Sequence, residues 1–198
     1  MTIELKEYDL DDSTFMGGWY LPEDICDRLI AFYHKNENLV EPGTVVIKGK
    51  DVVERESKDS SDLVITPDLT MPPIGDYRVL LQSALELYIK KYPKADAVHK
   101  FNVTKTYNIQ YYEPGGGFKK WHCERSQKTN GDRHLVFMTY LNDLEDGGTE
   151  FYHQKLKIPA RKGLTLIWPT DWTHTHKGVI SQTQEKYIVT GWFNFLDQ

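Results

Sequence analysis

The chain has 198 residues, of which 39% are hydrophobic, 13% aromatic and 27% charged, which suits one well-filled domain and excludes a largely disordered protein. The net charge is −5 and the basic residues are scattered, so nucleic acid is not the expected partner. Two cysteines, Cys26 and Cys123, and the lack of an apolar run of membrane-spanning length predict a reduced, soluble, cytoplasmic protein with no structural disulfide and no membrane association.

The first hundred residues are predicted to form mainly helical supports. A short strand is predicted over residues 3–7. A first helix is predicted to follow Pro22, a residue favoured in the first helical turn, and to end near Asn36. A second helix is predicted from about Ile74 to Tyr92, where a proline follows. Apolar side chains recur at the helical interval in both segments, so each helix is expected to cover a core with one face.

The polar segment 48–61 has no hydrophobic periodicity and predicts a mobile surface loop. Two interpretations of this loop stay open. It is either a lid over a binding site or a solvated connector with no functional role.

Beyond Lys100, short runs of β-branched and aromatic residues alternate with turn residues, which is typical of a sandwich or jelly roll. Residues 135–141 are apolar on both faces and predict a central strand. The predicted fold class is therefore mostly β with flanking helices (α+β), a cupin-like double-stranded β-helix with N-terminal support. One domain, 1–198, is expected, with support over about 1–100 and the core over about 101–198. The predicted strands are 103–112, 118–124, 134–141, 149–153, 163–168, 174–180 and 186–195.

A His-x-Glu pair, His122 and Glu124, follows a glycine-rich turn. Alternate residues of a strand share a face, so both side chains can reach one metal ion while Cys123 points away. Chance predicts about one His-x-acid pair in a chain with 7 His and 29 acidic residues, so the pair needs support from elsewhere. A 2-His-1-carboxylate site for non-haem Fe(II) requires one more imidazole.

His174 and His176 alternate along a predicted strand, and either could supply that imidazole. His176 is preferred because Lys186 follows ten residues later, on the next antiparallel strand. There its ammonium could hold the far carboxylate of 2-oxoglutarate in the same cavity. His174 stays open as the ligand, as a partner of the ligand or as a surface residue.

The order and spacing of these residues resemble the Fe(II)- and 2-oxoglutarate-dependent dioxygenases, specifically the prolyl 4-hydroxylase-like branch. The resemblance covers about residues 105–195. It rests on Tyr112-Glu113-Pro114-Gly115, His122-Cys123-Glu124, Gly131-Asp132-Arg133, Tyr140-Leu141-Asn142, Gly147-Gly148-Thr149-Glu150-Phe151, and His176 with Lys186, followed by Trp192-Phe193.

The resemblance implies a role for each matching residue. The implied iron ligands are His122, Glu124 and His176. Lys186 and Tyr140 would hold the distal carboxylate of 2-oxoglutarate, with Tyr112 lining the same pocket, although both tyrosines could also be ordinary core aromatics. The implied substrate contacts are Arg133 and Trp192. Fe(II), 2-oxoglutarate and O2 are the implied cofactor and co-substrates, and ascorbate is a candidate addition.

Glu124 departs from the usual pattern, because the carboxylate ligand of this branch is commonly Asp. Glu still supplies a hard oxygen ligand, at the cost of accommodating one more methylene. A carboxylate at this position argues for hydroxylation, whereas Gly or Ala would have favoured a halogenase. Asp132 is the fallback ligand if the register is shifted. The remaining histidines are predicted to have no metal role: His34, His99, His134 and His153.

The expected activity is hydroxylation of an unactivated C–H bond with release of succinate and CO2. Peptidyl proline is the first choice of substrate. A free amino acid or another small molecule is the alternative substrate class. A non-catalytic cupin-like module that binds a metal or sugar is the alternative from a different functional class, and Lys186 with Tyr140 argue against it because such a module needs no clamp for a distal carboxylate.

Overall fold

The fold consists of two antiparallel β layers with two helices packed outside the larger layer. The computed structural model describes residues 4–47 and 49–196. Within these residues the helices are α1 (Glu23–Lys35) and α2 (Ile74–Lys91). The strands are β1 (Lys6–Tyr8), β2 (Gly17–Tyr20), β3 (Glu41–Pro42), β4 (Val45–Ile47), β5 (Lys50–Val52), β6 (Lys58–Asp59), β7 (Ser61–Ile65), β8 (Phe101–Asn102), β9 (Tyr107–Tyr112), β10 (Gly117–Phe118), β11 (Arg133–Tyr140), β12 (Gly148–Phe151), β13 (Leu156–Pro159), β14 (Leu164–Pro169), β15 (His176–Val179) and β16 (Lys186–Phe195).

The larger sheet has the strand order β1-β2-β14-β11-β16-β9-β7-β3, and β8 pairs with β16 beside this path. The smaller layer contains the sheet β13-β12-β15 and the pair β10-β6, and β4 and β5 form a separate hairpin. Side chains from both layers meet in one buried cluster, which includes Val136 and Met138 of the larger sheet and Phe151 and Ile158 of the smaller one. This is the jelly-roll arrangement that the sequence predicts.

Strand β11 is the centre of the larger sheet, between β14 and β16. Its alternate side chains separate the two halves of the core, because successive residues of a strand point to opposite faces. Leu135 and Phe137 pack against the helices, whereas Val136 and Met138 face the interior of the roll. The prediction of a central strand with two apolar faces is confirmed.

Both predicted helices are present, with ends within one residue of the predicted ones. Helix α1 begins directly after Pro22, and two acidic residues in its first turn suit the helix dipole. The buried faces consist of Ile25, Leu29 and Tyr33 in α1 and Tyr77, Leu81, Ala84 and Tyr88 in α2. Each large side chain buried in this way contributes roughly 1.5–3 kcal/mol. In the described part of the chain, no helix combines the length and apolar character of a membrane span.

The N-terminal hundred residues contribute more than helical support. Strands β1, β2, β3 and β7 extend the larger sheet at both ends. The predicted strand at 3–7 begins at Lys6 instead, and Ile3 lies outside the described residues. These strands escape sequence analysis because they are short and their partners are far away in the chain.

The structure corrects the prediction of a polar mobile loop over residues 48–61. Lys48 lies outside the described residues, and the rest includes strand β5 of a hairpin, strand β6 and the start of β7, with a turn between β5 and β6. Strand β6 pairs with β10, and Lys58 on β6 forms a buried ion pair of 2.6 Å with Asp62. The polar sequence conceals this structure because much of the hairpin is exposed and the buried charges neutralise each other. The lid function stays a prediction.

Candidate active site

Three side chains from two distant segments form a cluster that could hold a metal ion. The Nε2 atoms of His122 and His176 lie 3.4 and 3.5 Å from Oε1 of Glu124. One potential ligand atom from each residue lies within 4.8 Å of the other two, and this is the one such cluster found in residues 4–47 and 49–196. Two imidazoles and a carboxylate are the donor set of a non-haem Fe(II) site with open coordination positions.

Backbone hydrogen bonds hold the two histidines side by side. His122 and His176 form an isolated antiparallel bridge and exchange N–H···O bonds of 2.9 and 2.8 Å. The backbone N–H of Glu124 donates to the carbonyl of Thr170 at 3.1 Å. The predicted strand 118–124 is therefore wrong in its extent, because regular pairing ends at Phe118. The single bridge and the Thr170 contact replace a continuous strand in positioning the pair.

Both imidazole rings are oriented by carbonyl groups on the side away from Glu124. Nδ1 of His122 donates to the carbonyl of Lys120 at 3.0 Å, and Nδ1 of His176 donates to the carbonyl of His174 at 2.9 Å. These contacts turn the Nε2 atom of each ring toward the carboxylate. Carbonyl partners of this kind commonly orient metal-binding imidazoles.

Burial and mutual contact set the charge states of the cluster. Desolvation, followed by the proximity of His176, lowers the pKa of His122. Burial alone would raise the pKa of Glu124, but hydrogen bonds from His122 and His176 outweigh it and hold that pKa well below its usual range. A neutral imidazole and an ionised carboxylate are the forms in which these groups bind metals.

The structure places the alternative ligands away from this cluster. His174 belongs to the 3-10 turn Trp172–His174, before β15 begins at His176, so the predicted strand 174–180 starts too early. Its Nε2 lies 2.9 Å from the carbonyl of Thr14, and its Nδ1 lies 3.0 Å from Thr173 Oγ1. Asp132 instead accepts hydrogen bonds from Asn194 and Lys105, each at 2.8 Å.

The cluster lies in a cavity of about 690 Å³. The cavity extends from the interior of the roll to the β4–β5 hairpin. Its lining includes the residues that the sequence analysis proposes for the co-substrate and substrate, namely Tyr112, Tyr140, Lys186, Arg133 and Trp192. The tertiary structure thus brings all of them to the same space.

Two buried lysines, Lys58 and Lys186, line this cavity, and Lys58 is paired with Asp62. Lys186 is the one without an acidic partner in the described residues. Its register partner across the sheet is Tyr112, and its Nζ lies 4.5 Å from the centroid of that ring. No carboxylate in the described residues lies within ion-pair distance of Nζ, and desolvation lowers the pKa of Lys186 to about 8. A Cβ added at Gly178 would lie 3.5 Å from this Nζ, so the glycine leaves space beside the ammonium. An uncompensated buried cation with adjoining space suits an anionic ligand.

Tyr140 and Tyr112 are both fully buried and both belong to the core cluster inside the roll. The Tyr140 hydroxyl lies 2.6 Å from Thr149 Oγ1, and the Tyr112 hydroxyl donates to Gln110 Oε1 at 2.6 Å. The two interpretations of these tyrosines are therefore compatible, since each ring packs in the core and also lines the cavity.

A model of the 2OG-Fe(II) oxygenase superfamily matches residues 107–194, the segment that contains the whole cluster and Lys186. The match covers less than half of the chain, and it shows that the segment carrying the site is similar to this superfamily. Together with the His-Glu-His cluster, the match indicates a 2-oxoglutarate-dependent dioxygenase, and the superfamily uses Fe(II), 2-oxoglutarate and O2. The search of curated proteins found no match to the sequence.

Solved structures with a similar fold include prolyl hydroxylases. A Pseudomonas putida prolyl-4-hydroxylase is 16% identical, with 92% of this chain and 93% of that chain covered and a TM-score of 0.66. A viral collagen prolyl hydroxylase from Paramecium bursaria Chlorella virus-1, in its 2OG complex, is 17% identical, with 95% and 100% covered and a TM-score of 0.63. A Trichoplax adhaerens prolyl hydroxylase, in complex with a peptide fragment of the hypoxia inducible factor oxygen degradation domain, is 13% identical, with 93% and 85% covered and a TM-score of 0.72. The predicted fold is confirmed.

Arg133 and Trp192 lie against Glu124 in the oxygenase. Trp192 Nε1 donates to Glu124 Oε2 at 3.0 Å, while an Arg133 guanidinium nitrogen donates to the Glu124 carbonyl at 2.9 Å. The guanidinium carbon also lies 3.4 Å above the Trp192 ring centroid. These contacts fix the carboxylate oxygen that faces away from the histidines. The substrate contacts predicted for both residues stay predictions.

Two residues beside the site were not predicted from the sequence. The Phe118 ring stacks on His122 with a centroid distance of 3.5 Å and an interplanar angle of 11°. Gly178 is the second, two residues after His176 in the same strand and therefore on the same face. That spacing is a sequence signal for Gly178, whereas the Phe118 contact depends on the tertiary fold.

Replacing Trp192 with Phe is expected to reduce the affinity for Fe(II) by about tenfold, because removal of groups that orient a metal ligand typically costs 10- to 100-fold. The change deletes the N–H that holds Glu124 Oε2 and keeps an aromatic ring. Anaerobic Fe(II) titration measures the effect, with the exposed Trp172→Phe as the matched control. Unchanged iron affinity in Trp192→Phe would contradict a role of Trp192 in positioning Glu124. A raised KM for the peptide with unchanged iron affinity would instead support the predicted contact between Trp192 and the substrate.

Proposed function

We propose that this oxygenase hydroxylates a prolyl residue within a peptide, consuming 2-oxoglutarate and O2 and releasing succinate and CO2. The observation that carries the proposal is the presence of the His-Glu-His cluster and the uncompensated Lys186 ammonium in one cavity. A metal-binding or sugar-binding module has no use for such a cation. The donor set and the cation match the two ends of an iron-chelating keto dicarboxylate.

In this proposal His122, Glu124 and His176 hold Fe(II). Lys186 binds the distal carboxylate of 2-oxoglutarate with a charge-assisted hydrogen bond. Tyr140 donates a second hydrogen bond to that carboxylate, and the Thr149 hydroxyl donates to the phenol oxygen of Tyr140. The bound iron supplies the oxidising chemistry that converts a C–H bond to an alcohol with O2 and 2-oxoglutarate.

The protein's own contribution is binding, orientation and exclusion of water. Aromatic rings pack around the two imidazoles, with Phe118 stacked on His122 and Trp168 and Phe151 within 5.2 and 5.4 Å of the His176 ring centroid. Trp168 and Phe151 are each 1% exposed. This apolar wall keeps bulk water from the reacting centre and strengthens electrostatic contacts within it.

A peptide substrate is supported by the shape of the cavity. Beyond the buried end, the lining continues to exposed apolar side chains of the hairpin and of β7, including Val46, Ile47 and Val64. Such an open, apolar continuation suits a chain that enters with one residue and extends outside. The similar fold of the Trichoplax enzyme, which was solved with a peptide fragment, supports the same substrate class.

The test is mass spectrometry of a peptide panel incubated with the enzyme, Fe(II) and 2-oxoglutarate, with and without ascorbate. We expect one oxygen atom to be gained on proline-containing peptides, with succinate formed in equal amount. Matched peptides with each proline replaced by alanine should gain none, and Glu124→Ala should abolish both products. Oxygen gained on free proline or another small molecule, and not on any peptide, would overturn the assignment of peptidyl proline.

A further inference from the structure

Exposed aromatic rings form a row beside the mouth of the cavity. Trp121, Tyr152 and Trp172 are exposed by 39%, 59% and 66%. Together with His153 they form a continuous series, which we call the aromatic row. Consecutive ring centroids from Trp121 through Tyr152 and His153 to Trp172 lie 5.1 to 5.5 Å apart. Clustered exposed aromatics are uncommon on a surface with no binding function.

The aromatic row is held in place by backbone contacts between separate segments. The N–H of Tyr152 donates to the carbonyl of Thr175 at 2.9 Å, and the Gln154 amide donates to the carbonyl of Thr173 at 3.0 Å. The turn after β12 is thereby fixed against the segment that leads into β15. A row that is preformed in this way binds with little loss of conformational entropy.

The aromatic row is continuous with the iron site. Trp121 directly precedes His122 and lines the same cavity. At the observed ring spacings the row is at most about 16 Å long, a distance that about five residues of polyproline II span at 3.1 Å each. A chain with one residue in the cavity could therefore lie along the row outside it.

The charge beside the aromatic row is balanced. Lys177 Nζ lies 4.4 Å from the Trp121 ring centroid and 3.3 Å from Glu150 Oε2. With its cation neutralised by this carboxylate, the row favours an uncharged ligand over a phosphorylated or acidic one. Aromatic-lined surfaces recognise the preformed polyproline II helix. Consecutive rings of the row meet at 79° to 84°, so the row offers its ring faces to separate proline rings and does not form one flat platform.

We infer that the aromatic row binds the flank of a proline-rich peptide in the polyproline II conformation. The inference rests on the proposed function and extends it, because it assigns substrate selection to residues outside the reaction cavity. It makes the row a determinant of affinity for long substrates. Short substrates that fill only the cavity do not engage it.

The test compares two dye-labelled peptides that share one target proline. One peptide is short, and the other carries a flank of five prolines. Binding is measured by fluorescence anisotropy under anaerobic conditions with Fe(II) and 2-oxoglutarate present, so that no turnover occurs. We expect Trp172→Ala and Tyr152→Ala each to reduce the affinity for the long peptide at least about tenfold. Stacking on a single aromatic side chain contributes roughly that much to binding. Neither variant should affect binding of the short peptide or, in a separate aerobic assay, the amount of succinate formed without peptide.

The matched control is Val79→Ala, because Val79 is 61% exposed on α2, far in sequence from the row. Equal affinity of the long peptide for the wild type and both row variants would overturn the inference, as would binding of a cello-oligosaccharide by the row in place of the peptide. A long peptide that binds through Trp172 but gains no oxygen would support the row and reject prolyl hydroxylation. Prolyl hydroxylation that does not depend on Trp172 or Tyr152 would support the proposed function and reject the aromatic row as a binding site.

Discussion

Replacing Lys186 with Met is expected to raise the KM for 2-oxoglutarate about a hundredfold and to raise the melting temperature of the free enzyme. The first effect follows because the variant loses a charge-assisted hydrogen bond in a buried site, worth roughly 2–3 kcal/mol. The second follows because the ammonium is buried without an acidic partner in the described residues, and Met fills similar space without a charge. Succinate formation at varied 2-oxoglutarate and calorimetry of the free protein measure the two effects.

The pH dependence provides an independent readout of the same group. Burial lowers the pKa of Lys186 from 10.5 to about 8, which corresponds to about 3 kcal/mol at most. Below pH 8 the folded enzyme carries the full cost of the buried charge. Between pH 8 and 10.5 the folded state has released the proton while the unfolded state still binds it, so this group makes the protein more stable as pH rises. The stability of Lys186→Met should lack this increase between pH 8 and 10.5.

The affinity for 2-oxoglutarate should fall as pH rises, whereas the stability of the free protein should increase. Binding requires the protonated ammonium, so the wild-type Kd should rise about tenfold per pH unit above pH 8. Lys58→Met is the matched control, because Lys58 is equally buried but paired with Asp62 at 2.6 Å. Removing that partner leaves a buried carboxylate and should lower the melting temperature. An unchanged KM in Lys186→Met would remove Lys186 from the co-substrate site.

Replacing His176 with Ala is expected to reduce iron affinity more than a hundredfold, whereas His174→Ala should retain it within about tenfold. His176 Nε2 faces Glu124, but both His174 ring nitrogens are occupied by Thr14 and Thr173. The contribution of His174 to the cluster is its backbone carbonyl, which His174→Ala preserves. Loss of a metal ligand exceeds the 10- to 100-fold cost of losing a group that only orients one.

Equilibrium dialysis against Fe(II), or titration with Co(II) followed by its absorption spectrum, measures this difference without any turnover. Circular dichroism of both variants controls for folding, since His174 is buried against the N-terminal segment. Equal metal retention by the His176 variant and the wild type would refute the proposed ligand set. Metal loss in the His174 variant alone would transfer the assignment to that residue.

Much of the fold could be predicted from local sequence patterns. The helical interval of apolar residues located both helices, and the two apolar faces of residues 135–141 located the central strand. The order of motifs between residues 105 and 195 also indicated which residues share one cavity. These features are accessible because helix and strand periodicity follow from backbone geometry alone, and because the motif spacing matches a known family.

The sequence by itself thus determined the fold class, the helices and the residues that gather at the cavity. Only the tertiary structure decided which histidine faces Glu124, because a 3-10 turn replaces the predicted strand at His174. It also decided that the polar segment after Lys48 pairs as strands and that Trp192 contacts the carboxylate. The aromatic row likewise joins three segments that lie apart in the chain. Each of these contacts depends on the packing of remote residues, which local propensity and spacing do not encode.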